Sequence, residues 1–274
     1  SAFNADTGHE EGVTYLWDTN ELESELGPED FKKFCQVYDI SADGNFEGRN
    51  HLVRKNSVQL ISIEEKLLSI RKKRKQPTHD DKILCGINAL TAISLIQAGR
   101  SLQRPDLEDK AATLVKKLLV TFWNGTSLGH SFYEGILQRQ SFLADAGALL
   151  LAVTMLYETD ESWAGIMNVI SDYVMSFRVN GKWIESVAED FGEVHASWFD
   201  HPVPSSVSLA ETALTRVALL TGREVARVTY RRPHHSDLYN INVLMTSGLF
   251  HVYTTVEPAS WNNIPANSIQ KRGS

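Results

Sequence analysis

Residues 80–99 read DDKILCGINALTAISLIQAG. Their apolar side chains cover most of the circumference of a helix, and a helix that is apolar nearly all round is buried inside a protein. Gly99 is predicted to end this helix. A second helix of the same character is predicted over residues 142–157, FLADAGALLLAVTMLY. The chain therefore contains at least two helices that other elements must enclose.

An amphipathic helix follows each of these buried helices. Asp106 is the predicted N-cap of the first, which has one apolar stripe and one charged face, and Asp160 and Glu161 open the second. A further helix is predicted from Ser205 or Ser206 onward, ended by Gly222. The alternation is typical of helical hairpins laid side by side, with one ring of helices inside and another outside.

The predicted fold class is therefore mainly α, as an (α/α)6 toroid or a large part of one. Short β hairpins are expected in the loops between helical hairpins, at residues 13–17, 130–140, 181–186 and 248–256. Long connections of this kind are common places for binding groups.

Composition excludes several classes of protein. No run of residues approaches the ~20 apolar positions of a membrane span, and the net charge of -7 argues against nucleic-acid binding. Cys35 and Cys85 lie far apart, so neither a disulfide framework nor a cysteine zinc site is expected. We predict a cytoplasmic protein with no cofactor, no metal site, no nucleic-acid partner and no membrane partner.

Titratable residues are concentrated near the predicted starts of the buried helices. His79, Asp80 and Asp81 lie at the start of the first, Asp145 lies in the first turn of the second, and His201 precedes the third. If these helices are parallel, their N-termini and free N–H groups share one mouth. We expect these five residues to be the candidate catalytic groups, acting on a small polyhydroxylated ligand whose hydroxyls carboxylates can bind.

Further polar or aromatic residues are expected at the same mouth or in a neighbouring turn. These candidate substrate-binding residues are Trp17, Glu47, Arg49, Lys82, Asn88, Asp200 and Ser205.

Each candidate also has a purely structural interpretation. Asp80 would serve as a helix cap, and Asp145 would be a buried carboxylate paired with Lys82 or Arg139. His201 would be an exposed loop residue. The adjacent pair His234-His235 is interpreted as exposed loop rather than as a metal site, because neighbouring histidines are poor ligands for one ion.

Three segments resemble motifs of a known family. Residues 5–17 are similar to a DADSEGEEGxFYVW-type segment, residues 43–52 to a GNFEGKNIL-type segment, and residues 77–90 to a PxxDDKILTxWNGL-type segment. In this order they resemble the helical part of the spermatogenesis-associated protein 20 family, over about residues 2–222. The resemblance implies an (α/α)6 toroid similar to N-acylglucosamine 2-epimerases and six-hairpin glycosidases, with a thioredoxin-like domain in cis.

The resemblance also sets the expected domain organisation. Residues 1–274 would form a single α/α-toroid domain, or a fragment of one that lacks an N-terminal thioredoxin-like domain and the first helices. Some polar positions of the family differ here: Ile87 replaces Trp beside Asn88, Val207 replaces Asn, and Asp145 lacks the neighbouring Glu and Tyr.

Two hypotheses on function follow. The first is an enzyme acting on a carbohydrate: His79 or His201 would be the base of an epimerase or isomerase, and Asp81 with Asp145 the carboxylate pair of a glycosidase. The second is a non-catalytic toroid that binds a ligand or a protein alongside a thioredoxin-like domain. The replaced cavity residues favour the second hypothesis.

Overall fold

A computed structural model describes residues 2–188, 192–199, 203–223, 251–254 and 269–272. The chain divides into two compact units, Ser1–Asp81 and Lys82–Ser274. The single domain expected over residues 1–274 stays a prediction.

Within the described residues the chain has eight α helices and one short 3-10 helix, Glu161–Trp163. The α helices are α1 (Thr19–Leu26), α2 (Pro28–Val37), α3 (Ile61–Lys73), α4 (Cys85–Leu102), α5 (Pro105–Phe122), α6 (Leu143–Tyr157), α7 (Ala164–Ser176) and α8 (Ser206–Thr221). No helix of this described part combines the length and the apolar character needed to cross a membrane.

The strands are short and form separate two- and three-stranded sheets. They are β1 (Ala2–Phe3), β2 (Asp6–Thr7), β3 (Glu10–Glu11), β4 (Tyr38–Asp39), β5 (Val53–Arg54), β6 (His79–Asp80), β7 (Ile83–Leu84), β8 (Ser131–Tyr133), β9 (Ile136–Gln138), β10 (Arg178–Val179), β11 (Lys182–Ala188), β12 (Gly192–His195), β13 (His251–Thr254) and β14 (Ile269–Arg272). The pairs are antiparallel except β13 with β14, which is parallel. The predicted mainly α fold with short β hairpins is confirmed.

In the first unit, helices α1, α2 and α3 share a small apolar core that includes Trp17 and Phe34. The guanidinium of Arg74 lies 3.8 Å from the centre of the Trp17 ring. It donates to the carbonyl oxygens of Thr14 and Leu16, at 3.0 and 2.7 Å, and bonds the Glu21 carboxylate at 2.6 Å. The Arg74 side chain therefore joins the end of α3 to the segment before α1, through a cation–π contact and hydrogen bonds to three acceptors.

In the second unit, α4, α6 and α8 pack side by side, while α5 packs on α4 and α7 packs on α6. Nearly every residue of α6 is buried, whereas α5 buries one stripe that includes Ala111, Val115 and Phe122. The predicted alternation of buried and amphipathic helices is therefore observed. This packing is the one expected for adjacent helical hairpins in an α/α toroid.

The three inner helices run parallel. The Asp145 carboxylate, in the first turn of α6, accepts a hydrogen bond from the Gly86 N–H in the first turn of α4. Gly147 of α6 lies against α8 so closely that an added Cβ would come within 2.9 Å of the Ala210 nitrogen. Contacts between corresponding turns place the N-termini of α4, α6 and α8 at one common end, as the sequence predicts.

The opposite end of these helices holds a buried ion network. Arg100 bonds Glu158 at 3.0 Å and donates to the Met155 carbonyl oxygen at 2.8 Å. Arg216 contacts the other carboxylate oxygen of Glu158 and donates to the Thr154 hydroxyl at 3.0 Å. Burial and the like charge of Arg100 lower the pKa of Arg216 to about 9, so its guanidinium is still charged at neutral pH.

The start of α4 differs from the prediction. The helix expected from residue 80 begins at Cys85, because β6 and β7 hold the preceding residues in extended pairs. Leu84 occupies the N-cap position, so the interpretation of Asp80 as a helix cap is wrong. The residues from His79 to Lys82 therefore precede the helix instead of forming its first turn.

Two further boundaries are corrected. Helix α4 continues past Gly99 to Leu102, and an added Cβ at Gly99 would lie 2.8 Å from the Glu108 side chain. This glycine allows close approach of α5 and does not end the helix. Pro105 begins α5, and Asp106 lies in its first turn instead of at its N-cap.

The expected β segments are confirmed in part. Strands β8 and β9 confirm the hairpin at 130–140, β11 includes residues 182–186 of the segment 181–186, and β13 lies within 248–256. Residues 13–17 form no strand, and only an isolated bridge joins Trp17 to Asn50.

Candidate functional site

A buried carboxylate lies at the common N-terminal end of the inner helices. Asp145 is 3% exposed. One of its oxygens accepts the Gly86 N–H at 2.7 Å, and the other lies 2.7 Å from Nδ1 of His130. A buried charge is tolerated when fixed donors surround it, and here two donors do so. Gly86 makes this possible, since an added Cβ would lie 2.6 Å from the carboxylate.

His130 stands directly before β8. Its carbonyl oxygen accepts the Cys85 N–H at 2.9 Å, its own N–H bonds the Gln138 carbonyl oxygen at 2.9 Å, and its ring packs on Phe142 at 4.6 Å between centres. The side chain is 31% exposed. The hydrogen bond to Asp145 raises the pKa of His130, and burial opposes that effect. Within the described residues the hydrogen bond of the His130 ring is made by Nδ1, and Nε2 has no partner there.

The N–H groups at the starts of all three inner helices are bound by side chains. Asp145 accepts the N–H of Gly86 in α4, and Glu185 of β11 accepts the N–H of Ala144 in α6 at 3.1 Å. Ser205 is the N-cap of α8, as one of the two predicted starts. Negative groups at this end are favoured by the helix dipoles. The negative charge of Glu185 also raises the pKa of His130.

A cleft of about 360 Å³ is lined in part by strand β11, the strand that also carries Glu185. Its polar and aromatic lining consists of Arg178, Lys182, Trp183, His195, Trp198 and Glu211. The volume falls within the ~300–1,000 Å³ of small-molecule sites. Trp183 and Glu185 are two positions apart on β11, a separation of about 7 Å along a strand. Strand β11 therefore carries both a residue that lines the cleft and Glu185, whose charge acts on His130.

Glu211 forms the buried base of the cleft. It is 3% exposed and lies within α8. The indole N–H of Trp183 donates to its carboxylate at 2.7 Å. Burial raises the pKa of Glu211, while the bond from Trp183 and the positive charge of Arg178 act in the opposite direction.

Three predicted residues of the second unit have other local roles. The Asn88 side chain donates to the Leu84 carbonyl oxygen at 2.8 Å, within the first turn of α4. The Ser205 hydroxyl accepts the N–H of Ser208 at 3.1 Å and caps α8. Lys82 is exposed before β7. The expected pairing of Asp145 with Lys82 or Arg139 is wrong, because His130 and a backbone N–H occupy both carboxylate oxygens.

Four predicted positions lie outside the described residues. They are Asp200, His201, His234 and His235.

In the first unit, His79 and Asp81 lie together. Their side chains are joined by a hydrogen bond from Nδ1 to the carboxylate, and the ring of Phe3 lies 5.0 Å from the His79 ring. Asp80 is partly buried in β6, opposite Ala2 in β1. The predicted convergence of these residues with Asp145 stays a prediction.

The other candidates of the first unit are divided between turn and core. Glu47 is exposed in a tight turn with a φ of 48°, and the side chain of Arg49 lies 3.9 Å from the Asp18 carboxylate. Trp17 is 1% exposed beneath Arg74. It forms part of a core, which corrects the expectation that its ring faces a ligand.

Sequence reasoning missed the residues that define this site. His130 was visible only as part of an expected hairpin, and Trp183 and Trp198 as scattered aromatic residues. Glu211 carried a usable signal, because an acid inside the apolar run SVSLAETAL must be either exposed or specifically bound. Among the described residues, no group of three or more His, Cys, Asp or Glu side chains is arranged to hold a metal ion.

Comparison with known proteins finds a similarity in three-dimensional structure and no match in sequence. No family model matches the sequence, and no curated protein matches it. Among solved structures, the chain is similar to a GH76 alpha-mannanase of Bacteroides thetaiotaomicron, with 16% identity and a TM-score of 0.43. The match covers 60% of this chain and spans half the length of that one.

Proposed function

We propose that the helical unit acts on a carbohydrate-like ligand by proton transfer, with His130 as the catalytic residue and Asp145 as its positioning residue. The observation that carries this proposal is the 2.7 Å bond between Nδ1 of His130 and the buried Asp145 carboxylate. It fixes the ring and leaves Nε2 available. A histidine base oriented by a carboxylate is a common arrangement for general acid–base catalysis.

The reaction class that fits this pair is epimerisation or isomerisation. Nε2 of neutral His130 would remove the proton from the carbon beside the carbonyl of an open-chain sugar. The electron pair left on that carbon forms an enediolate, and Asp145 stabilises the imidazolium. The imidazolium then returns the proton either to the opposite face of the same carbon, after the enediolate has turned over, or to the neighbouring carbon, while the proton of the O2 hydroxyl passes to O1. No net proton is gained or lost, and no redox partner is needed.

The cleft supports a polyhydroxylated ligand. Trp198 is partly exposed there and can cover the apolar face of a sugar ring. Arg178, Lys182 and His195 add hydrogen-bond donors around it. These donors with an aromatic surface form the mixed lining that small-molecule sites use.

Hydrolysis is less well supported by the geometry. A glycosidase needs two carboxyl groups across the bond that is cleaved. In this unit Asp145, Glu185 and Glu211 each accept a bond from a protein N–H, and Asp145 and Glu211 are buried.

Because these carboxylates are already bound by protein N–H groups, a second candidate function is a non-catalytic binding module. The resemblance to the spermatogenesis-associated protein 20 family adds a thioredoxin-like domain in cis as its proposed partner. A cytoplasmic location also belongs to the proposal, and the scarcity of cysteines supports it.

Deuterium exchange tests the proposal. The chain is incubated in deuterated buffer with glucose, mannose, N-acetylglucosamine or N-acetylmannosamine, and loss of the C2 proton signal is followed by NMR. We expect exchange with at least one sugar, abolished in His130→Gln and retained in the control His51→Gln, whose exposed histidine lies in the first unit. Asp145→Asn should slow exchange. The increase of the exchange rate with pH should also occur at lower pH, because the bond that raises the pKa of His130 is lost.

The outcomes separate the two candidates. Exchange that persists in His130→Gln would refute the assignment of the base. Sugar binding without exchange would favour the non-catalytic module. His79→Gln and Asp81→Asn, assayed in parallel, test whether the sequence-predicted residues of the first unit take part.

A further inference from the structure

The loop between α5 and β8 carries one of the two Asn-Gly pairs of the chain, Asn124-Gly125. Both residues are exposed. An isolated bridge between Trp123 and Leu128 closes the loop, and the Asn124 N–H donates to the Ser127 carbonyl oxygen at 3.2 Å. The Asn124 side chain is therefore presented to solvent from a defined turn.

Three hydrogen-bond donors converge on Oδ1 of Asn124. They are the N–H of Thr126 at 3.0 Å, the hydroxyl of Thr126 at 3.1 Å and the N–H of Ser127 at 2.8 Å. Donors on a carbonyl oxygen draw electrons from its carbon and stabilise negative charge that develops on the oxygen. The loop thus surrounds this amide oxygen as an oxyanion hole surrounds a substrate carbonyl.

The two nitrogen atoms that flank this carbonyl group make no hydrogen bonds. Within the described residues neither Nδ2 of Asn124 nor the N–H of Gly125 has an acceptor. Gly125 has a φ of 100°, and an added Cβ would meet no atom beyond its chain neighbours within 4 Å. The Gly125 nitrogen is therefore unhindered, and glycine leaves its backbone free to turn toward the Asn124 side chain.

We propose that Asn124 is a site of deamidation, in which the Gly125 nitrogen closes a ring on Cγ of Asn124 and water opens it. The inference does not rest on the proposed function. Attack by the next backbone nitrogen is intramolecular, so its rate depends on orientation and on activation of the carbonyl group. The three donors on Oδ1 supply that activation.

The reaction needs only water and hydroxide. Hydroxide takes the proton of the Gly125 N–H, the nitrogen forms a bond to Cγ, and the electron pair of the C=O bond moves to Oδ1. This pair then returns, the bond from Cγ to Nδ2 breaks, and Nδ2 takes a proton from water and leaves as ammonia. Water hydrolyses the resulting succinimide to aspartate or isoaspartate. One water is consumed, one ammonia is released, and nothing is oxidised or reduced.

The second Asn-Gly pair of the chain is an internal reference. Asn180-Gly181 is also exposed and forms the tight turn between β10 and β11. Within the described residues the Asn180 side chain makes no hydrogen bond. Glycine supplies the attacking nitrogen in both pairs, so the two should react at similar rates in the unfolded chain. Any advantage of Asn124 in the folded chain then comes from its surroundings.

Peptide mapping by mass spectrometry tests the inference. The full chain is incubated at mildly alkaline pH, folded and in urea, in water labelled with heavy oxygen, and the label identifies the hydrolysed sites. We expect the rate at Asn124, relative to Asn180, to be at least about tenfold larger in the folded than in the unfolded chain. This ratio corresponds to a barrier lower by ~1.4 kcal/mol.

A variant links the rate to the donors. Thr126→Val keeps the size and the N–H of the residue and removes the hydroxyl donor, so the rate at Asn124 should fall by about 2–10-fold, the effect of one hydrogen bond. Thr113→Val is the matched control, because Thr113 is an exposed threonine within α5, and its rate at Asn124 should equal that of the natural chain. Circular dichroism verifies that both variants are folded.

Hydrogen bonds that only hold the amide in place would have the opposite effect. Asn124 would then react more slowly than Asn180 after each rate is divided by its value in the unfolded chain. Thr126→Val would raise the rate instead of lowering it. Either result would overturn the inference.

Discussion

Removing the charge of Glu158 should destabilise the protein strongly. This carboxylate is 2% exposed and is bonded by two guanidinium groups, those of Arg100 and Arg216. In Glu158→Gln the amide keeps the shape of the side chain but cannot neutralise either cation. Two buried positive charges would then face each other at the end of the inner helices.

The magnitude follows from the burial. Breaking a buried ion pair by removing one partner costs ~3–5 kcal/mol. Arg216 has a side-chain exposure of 7% and Arg100 of 13%, so solvent screens neither charge well. Arg100 keeps Glu108 at 3.4 Å as a second acid, which places the expected loss near ~3 kcal/mol. For a chain of this size that corresponds to a melting temperature lower by roughly 6–12 °C.

Urea and thermal unfolding, followed by circular dichroism at helix wavelengths, measure this loss. Glu161→Gln is the control, because Glu161 is an exposed acid near the same helix end. Adding Arg216→Met to Glu158→Gln should recover part of the stability, since one uncompensated charge disappears. A loss below ~1 kcal/mol, equal to that of the control, would refute the claim that Glu158 neutralises this network.

Three other predictions concern the opposite end of the inner helices and their packing. The raised pKa of His130 means that its bond to Asp145 stabilises the folded state below about pH 6.5. This stabilisation is lost as the pH rises through the pKa of His130 in the folded state. The urea concentration at the unfolding midpoint, measured between pH 6 and 8, should therefore vary less in Asp145→Asn than in the natural chain. Gly147→Ala should destabilise by ~1–3 kcal/mol, because the new methyl meets the backbone of α8, whereas Gly165→Ala, where an added Cβ has open space, should be neutral or stabilising by up to ~1 kcal/mol; equal melting temperatures would contradict this. Trp183→Phe removes the indole N–H that donates to the buried Glu211 carboxylate and should lower the free energy of unfolding by ~1–3 kcal/mol. The loss should be larger at pH 8 than at pH 5, where the Glu211 carboxyl is protonated more readily. A loss that does not depend on pH would indicate a packing effect alone.

Several features of the fold could be predicted from local patterns. Residues 142–157 are apolar on every side, and α6 is indeed enclosed by α4, α7 and α8. Ser205 followed by an apolar run predicted the start of α8, and Gly222, with a φ of 70°, its end. These signals depend on helix periodicity and capping, which act within a few residues of each other.

The start of α4 could not be predicted in the same way. The sequence after residue 79 is compatible with a helix, yet strand pairing with distant segments keeps residues 83–84 extended. Gly99 shows the same limit, since it resembles a helix end but serves close packing of α5. Tertiary partners override local preference at such positions.

The sequence by itself determined that apolar and amphipathic helices alternate and that Asp145, inside an apolar run, requires a specific partner. Only the tertiary structure decided that this partner is His130, that Glu211 is bound by Trp183, and that three basic residues line one cleft. The reason is physical. A buried charge demands a donor from somewhere, but which donor arrives depends on chain segments far apart in sequence that meet only when the helices pack.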